Sequence, residues 1–217
     1  MIKKEIKLYN FEELSEELQE KIIEKNRYMN VEFFDWYWIT YENFIEDLKK
    51  QGFYTDKENV DFSGFSCQGD GASFTGYIDL LEYLKYKNEN NKTDENIKVY
   101  ELFKKIIDNG YIENEIKIER NSLRYCHVNT CKIEDIILYD YDDFNNEYSK
   151  KEKENIEISI DELEKELEKI RYNHCMDLYK NLENDYNLAT SNETIKEYLI
   201  DTDDEIYLKN GEILGEL

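Results

Sequence analysis

The segment from Phe62 to Gly76, FSGFSCQGDGASFTG, constrains this chain more than any other. It holds four of the chain's eight glycines (Gly64, Gly69, Gly71 and Gly76), set among aromatic residues in a chain otherwise poor in glycine. Glycine is required where the backbone takes a positive φ or where another group comes close. The segment is therefore a tightly specified β-hairpin or a binding loop. As a hairpin, its glycines supply φ > 0, and Gln68 and Ser73 satisfy backbone groups. As a binding loop, it exposes amides to a phosphate or nucleotide, although it lacks both the Walker spacing with its lysine and a GxGxxG opening a helix. Asp70 would repel an anion, so the polar groups Gln68, Gly69, Asp70, Gly71 and Ser73 suit an amine, a guanidinium or a cation.

Hydrophobic spacing places helices around this loop. Asn10 and Glu13 form a capping-box pair before Phe11, Leu14, Leu18 and Ile22, which predicts a helix over 11–25. Phe34, Trp38, Tyr41, Phe44 and Leu48 predict a second, aromatic helix over 32–51, closed by Gly52. Strands are expected over 60–66 and 73–78. Residues 79–87 are read as a helix or a continued strand, and Thr93 caps a helix over 94–109 that Gly110 ends. Period-two alternation over 115–119, 123–128 and 132–139 predicts a three-stranded antiparallel meander. Residues 139–148 read as irregular. Ser159 and Glu162 form a capping box for a long helix over 160–189, and Asn192 caps a last short one. Asn210-Gly211 is a hairpin signal.

The fold class is thus α+β: an antiparallel sheet, containing the glycine hairpin and the meander, packed on aromatic-rich helices with a long C-terminal helix. The expected organisation is a body over 1–145 and a C-terminal helical segment over 146–217 on the same core. With 19 Tyr, 10 Phe and 2 Trp, that core has polar rims.

Charge narrows function. Fifty-one carboxylates face 28 lysines and arginines, a net charge of −23. Phosphate contacts need cations, so direct nucleic-acid binding and anionic membrane surfaces are disfavoured, while a basic protein surface is attracted. No apolar run is long enough for a secretory or membrane segment, and Cys67, Cys126, Cys131 and Cys175 are expected as free thiols in a cytoplasmic protein. The spacing of Cys126, His127, Cys131, His174 and Cys175 fits no zinc site, and no cofactor is expected. A nucleophile at Cys67 with His127 or His174 lacks any local signature, so no catalytic residue is assigned. Asp135, Asp140, Tyr141, Asp142, Asp143 and Glu147 form an acidic-aromatic run suited to a partner interface: spaced carboxylates imitate a phosphate backbone, and tyrosine gives contact area at low entropic cost.

Five segments in order, FEELSEELQEKIIEKNR (11–27), VEFFDWYWITYENF (31–44), FSGFSCQGDGASFTG (62–76), RYCHVNT (124–130) and DLYKNLENDY (177–186), resemble a large group of phage and prophage proteins marked by the motif SGFxxQGDGAxFxG. Such proteins are sometimes loosely labelled antitoxin-like, and no catalytic residue carries over from them. Cys67 departs from the small or aromatic residue expected there. The resemblance implies a mobile-element origin and action in the cytoplasm of a bacterial host. Charge and resemblance together lead to one expectation: a non-enzymatic, anti-CRISPR-like inhibitor that occupies the basic channel of a host nucleic-acid-binding protein, such as a CRISPR effector. The alternatives are a small-ligand or signalling-nucleotide module at the Gly64–Gly76 loop, and an enzyme using Cys67 or a carboxylate pair.

Overall fold

The computed structural model describes residues 7–32, 35–122, 125–139, 142–201 and 205–216. The fold is mixed α+β, with antiparallel sheets, aromatic clusters and a long C-terminal helix. The chain gathers into two units, one of Met1–Trp38 with Leu182–Leu217 and one of Ile39–Asn181. Among the described residues no helix is long and apolar enough to cross a membrane.

The unit Ile39–Asn181 begins within α3 (Trp38–Lys50). This helix is shorter than the expected 32–51, because a separate turn, α2 (Met29–Glu32), precedes it. Gly52 closes α3 at φ 80°, where a side chain would also lie 2.6 Å from the Tyr83 amide nitrogen. β1 (Phe53–Tyr54) follows, then the hairpin of β2 (Val60–Phe62) and β3 (Ala72–Phe74), paired Val60 to Phe74 and Phe62 to Ala72. The expected strand 73–78 is cut at Thr75, and β4 (Gly76–Asp79) belongs to a different sheet. Asp79 then caps α4 (Leu80–Asn90), its Oδ1 accepting from the Glu82 N–H at 2.8 Å. Thr93 caps α5 (Asp94–Asp108) in the same way at 3.1 Å, where sequence placed it.

β5 (Glu115–Arg120) buries Ile116 and Ile118 and turns the residues between them outward. It pairs with β4 on one side and β6 (Cys131–Ile133) on the other, giving an antiparallel sheet of order β1-β4-β5-β6. The expected middle strand of the meander is absent from its described part. Residues 125–127 carry no regular structure, and Val128–Thr130 form a 3-10 turn. The reason is edge competition. Arg120 pairs directly with Cys131, so β5 has no edge left for the segment between them. Residues 123 and 124 lie outside the described part.

Residues 142–147, expected to be irregular, form α6 (Asp142–Glu147). The long helix α7 (Lys150–Ala189) starts ten residues before the expected start. Its cap is Ser149, not Ser159. The Ser149 N–H and hydroxyl donate to Glu152 at 2.8 and 2.6 Å, whereas Ser159 donates inside the helix to the Asn155 carbonyl at 2.9 Å. Nothing between the two boxes breaks a helix: the segment is Lys, Glu, Asn and Ile without glycine or proline, and Ile156 and Ile160 are buried along it.

In the terminal unit, the expected helix 11–25 is broken. A 3-10 turn, Phe11–Glu13, carries the anticipated Asn10–Glu13 contact at 3.0 Å, and α1 (Glu16–Lys25) starts after Leu14 in extended backbone. The break lets both Phe11 and Leu14 enter a core with Ile22, Ile23, Ile195, Leu199 and Tyr207. α8 (Asn192–Asp201) is capped by Ser191, one residue before the expected cap. β7 (Glu205–Tyr207) and β8 (Ile213–Glu216) close a hairpin whose turn holds Gly211 at φ 81°.

Candidate functional site

The glycine loop is a hairpin connection that its own side chains close. Asp70 Oδ2 accepts from the N–H groups of Ser66 and Cys67 at 2.8 and 2.6 Å. Ser63 exchanges backbone and hydroxyl bonds with Gly71 at 2.9 and 3.1 Å. The amides that an anion would need at 66 and 67 are thereby occupied by a carboxylate. Asp70 and Ser63, not Gln68 and Ser73, satisfy the loop. Gln68 is exposed, and Ser73 is fully buried with its hydroxyl unpaired among the described residues. Gly64, Gly69 and Gly71 do not take positive φ either. The demand at Gly71 is for room: a Cβ there would lie 2.5 Å from His127 Cβ and 2.8 Å from its Cα. Gly69 faces Tyr125 at an ordinary 3.8 Å.

The acidic-aromatic run is less open than its sequence suggests. Asp140 and Tyr141 lie outside the described residues, as do the side chains of Asp142 and Asp143 in α6. Glu147 is engaged, 2.7 Å from Lys105 Nζ and accepting from the Tyr111 hydroxyl at 3.0 Å. The bond from Lys105 holds its carboxyl below the ordinary range. Asp135 is exposed on the rim of a cleft of about 560 Å³ between β6 and α7, together with Lys132, Lys165, Lys169 and Tyr172.

Sequence reasoning passed over a second carboxylate-rich region. The segments Met1–Trp38 and Leu182–Leu217 hold nineteen carboxylates against eight lysines and arginines, so this unit carries −11 of the total −23 in about a third of the chain. Glu12, Glu13, Glu16, Glu17, Glu20 and Glu24 are all exposed. Only Glu17 and Glu24 of these meet a cation among the described residues, Lys21 and Arg27, each at 2.6 Å. The signal was present as a four-residue repeat of glutamates along α1.

The second omission is Arg171, 2 % exposed at the foot of the same cleft. Glu168 grips its Nε and Nη2 at 3.0 and 2.6 Å, and Nη1 donates to the Val128 carbonyl at 2.8 Å and to Cys131 Sγ at 3.0 Å. Cys175 lies 3.8 Å from both Arg171 Nη1 and Cys131 Sγ. The hydrogen bond from Cys175 and the guanidinium charge hold the Cys131 thiol well below the ordinary range, and Cys175, bonded to Cys131 and buried, is pushed up. Sequence spacing carried a sign of this, since Arg171 sits four residues from both Leu167 and Cys175 on the apolar stripe of α7.

Of the residues weighed for zinc, only Cys131 and Cys175 come together. His174 packs instead on Phe53 and Phe44, with ring centroids 5.5 and 6.4 Å away. Among the described residues no group of three or more His, Cys, Asp or Glu side chains is placed to hold a metal ion.

No curated protein and no solved structure matches the chain. A family described as a domain of unknown function (DUF8835) matches residues 36–192, which include the glycine hairpin, the four-stranded sheet, the cleft and the Arg171 cluster. Because the match spans most of the chain, the protein belongs to the DUF8835 family.

Proposed function

We propose that this protein is a non-enzymatic interaction protein whose carboxylate surface occupies a basic, nucleic-acid-binding channel of a partner protein. One observation carries the reading: the exposed, largely unpaired row of glutamates on the terminal unit. Glu16 and Glu20 stand four residues apart, about 6 Å along the helix axis, and follow Glu12 and Glu13, while Glu24 one turn on is held by Arg27, so the open negative charge concentrates at the N-terminal end of α1. The second proposed contact is the Asp135–Glu147 run, where Lys105 and Lys132 reduce the field. The phage-like motif at 62–76 supports a bacterial host cytoplasm as the setting and a defence enzyme, such as a CRISPR effector, as the partner class. The glycine-loop alternative is weaker, because Asp70 occupies the loop's amides.

The test is capture of candidate nucleic-acid enzymes at low and high salt. Association through a charged surface slows steeply with ionic strength. The variant Glu16→Lys with Glu20→Lys should weaken capture at least tenfold at low salt, and Asp142→Lys with Asp143→Lys should weaken it less. Capture that is indifferent to salt and to both variants would refute the reading.

A further inference from the structure

We propose that Cys131 and Cys175 form a redox couple that a hydroperoxide closes to an intramolecular disulfide and a dithiol reductant reopens, with Arg171 as the residue that positions Cys131 for attack. The two sulfurs stand 3.8 Å apart on different elements, the first residue of β6 and the middle of α7. A disulfide needs about 2.05 Å, so the two sulfurs must approach by a little under 2 Å. Arg171 makes the two sulfurs unequal. Its Nη1 is 3.0 Å from Cys131 and 3.8 Å from Cys175. Its other donors are held by Glu168 and the Val128 carbonyl. A guanidinium fixed on four bonds keeps its charge on one sulfur, and the thiolate is the nucleophilic form.

The route we infer is the cleft, which Arg171, Asn129 and Lys132 line. Cys131 is buried behind the guanidinium, so a small polar oxidant reaches it as the Arg171 side chain moves aside. The Cys131 thiolate attacks one oxygen of hydrogen peroxide and the O–O bond breaks. The sulfur is oxidised to a sulfenic acid, and the departing hydroxide takes a proton to leave as water. The Cys175 sulfur then displaces the sulfenic oxygen, forming the S–S bond, and that oxygen leaves as a second water with the Cys175 proton. An external dithiol reverses the couple by exchange and is itself oxidised. Exposed Cys67 and half-buried Cys126 are internal controls. Unselective oxidation strikes Cys67 first.

The experiment treats the full chain with one equivalent of hydrogen peroxide and maps peptides by mass spectrometry without reduction. The expected result is a Cys131–Cys175 cross-linked peptide, reversed by dithiothreitol, retained in Cys67→Ser and lost in Cys131→Ser and Cys175→Ser. Oxidation confined to Cys67 or Cys126, or a stable sulfonic acid at Cys131 with no cross-link, overturns the proposal. Arg171→Lys should slow closure about tenfold and move its pH profile upward. The wild-type profile serves even where that variant does not fold. Cys131 closure should plateau near neutrality, at a lower pH than oxidation of a cysteine in an unstructured reference peptide. Parallel profiles for Cys131 and that peptide would remove Arg171 from the mechanism.

Discussion

Replacing Gly76, which takes φ 156° and lies against Tyr54, by alanine tests whether this glycine stands where no side chain fits. A Cβ at Gly76 would stand 2.0 Å from the Tyr54 carbonyl oxygen and 3.0 Å from its carbon. Reaching ordinary contact at about 3.4 Å requires a shift of about 1.4 Å. β4 cannot give way, because it is paired on both sides, Tyr77 to Tyr54 of β1 and Gly76 to Ile118 of β5. Overpacking costs about 1–3 kcal/mol, and each ladder bond broken to relieve it costs about 1 kcal/mol more. With two ladder bonds lost the sum is about 3–5 kcal/mol, or a Tm lower by roughly 6–20 °C for a chain of this size. Gly71→Ala meets His127 Cβ at 2.5 Å, but His127 lies in a segment without strand pairing that can yield, so about 2 kcal/mol is expected. Gly69→Ala meets only Tyr125 at 3.8 Å and should stay within about 0.5 kcal/mol. Urea unfolding followed by circular dichroism orders the three variants. A Gly69→Ala loss equal to that of Gly76→Ala, or a neutral Gly76→Ala, would refute the reasoning.

Three further outcomes follow from named contacts. Ser149→Ala should destabilise by about 1 kcal/mol through the lost cap while Ser159→Ala stays near neutral, and equal effects in thermal unfolding would mean that the helix starts elsewhere. Asp70→Ala strips the Ser66 and Cys67 amides of their acceptor, so those two amides should exchange hydrogen at least tenfold faster; unchanged protection would mean that the loop is held by other bonds. Burial lowers the His174 pKa, so the folded state holds it neutral while the unfolded chain binds a proton below about 6.5. Stability is therefore complete above that value and declines as pH falls toward the depressed folded pKa. Between pH 7 and 5, His174→Gln should flatten this decline, and identical slopes in urea titrations would exclude the histidine as its source.

Elements whose signals are local were legible. Thr93 and Gly110 bracket α5 because a hydroxyl cap and a left-handed glycine act within one turn of chain. The Ile116–Ile118 alternation marks β5 for the same reason. The sequence reading placed the cap of the long helix at Ser159–Glu162, but the helix starts at the Ser149–Glu152 box, which that reading missed. Phe144 and Tyr148, packed on Tyr111 with centroids 5.0 and 6.2 Å away, fix the chain just ahead of it. That contact joins residues more than thirty positions apart, which no local pattern reports.

The sequence by itself determined the α+β class, the net charge of −23 and the tight connection at 62–76, because composition, periodicity and glycine placement act over a few residues. Only the folded structure decided that Asp70 closes that connection, that β6 displaces the expected middle strand, and that Arg171 meets Cys131 and Cys175. The first turns on which of several neighbouring side chains reaches the Ser66 and Cys67 amides, and the other two on which separate elements meet, a competition that packing settles.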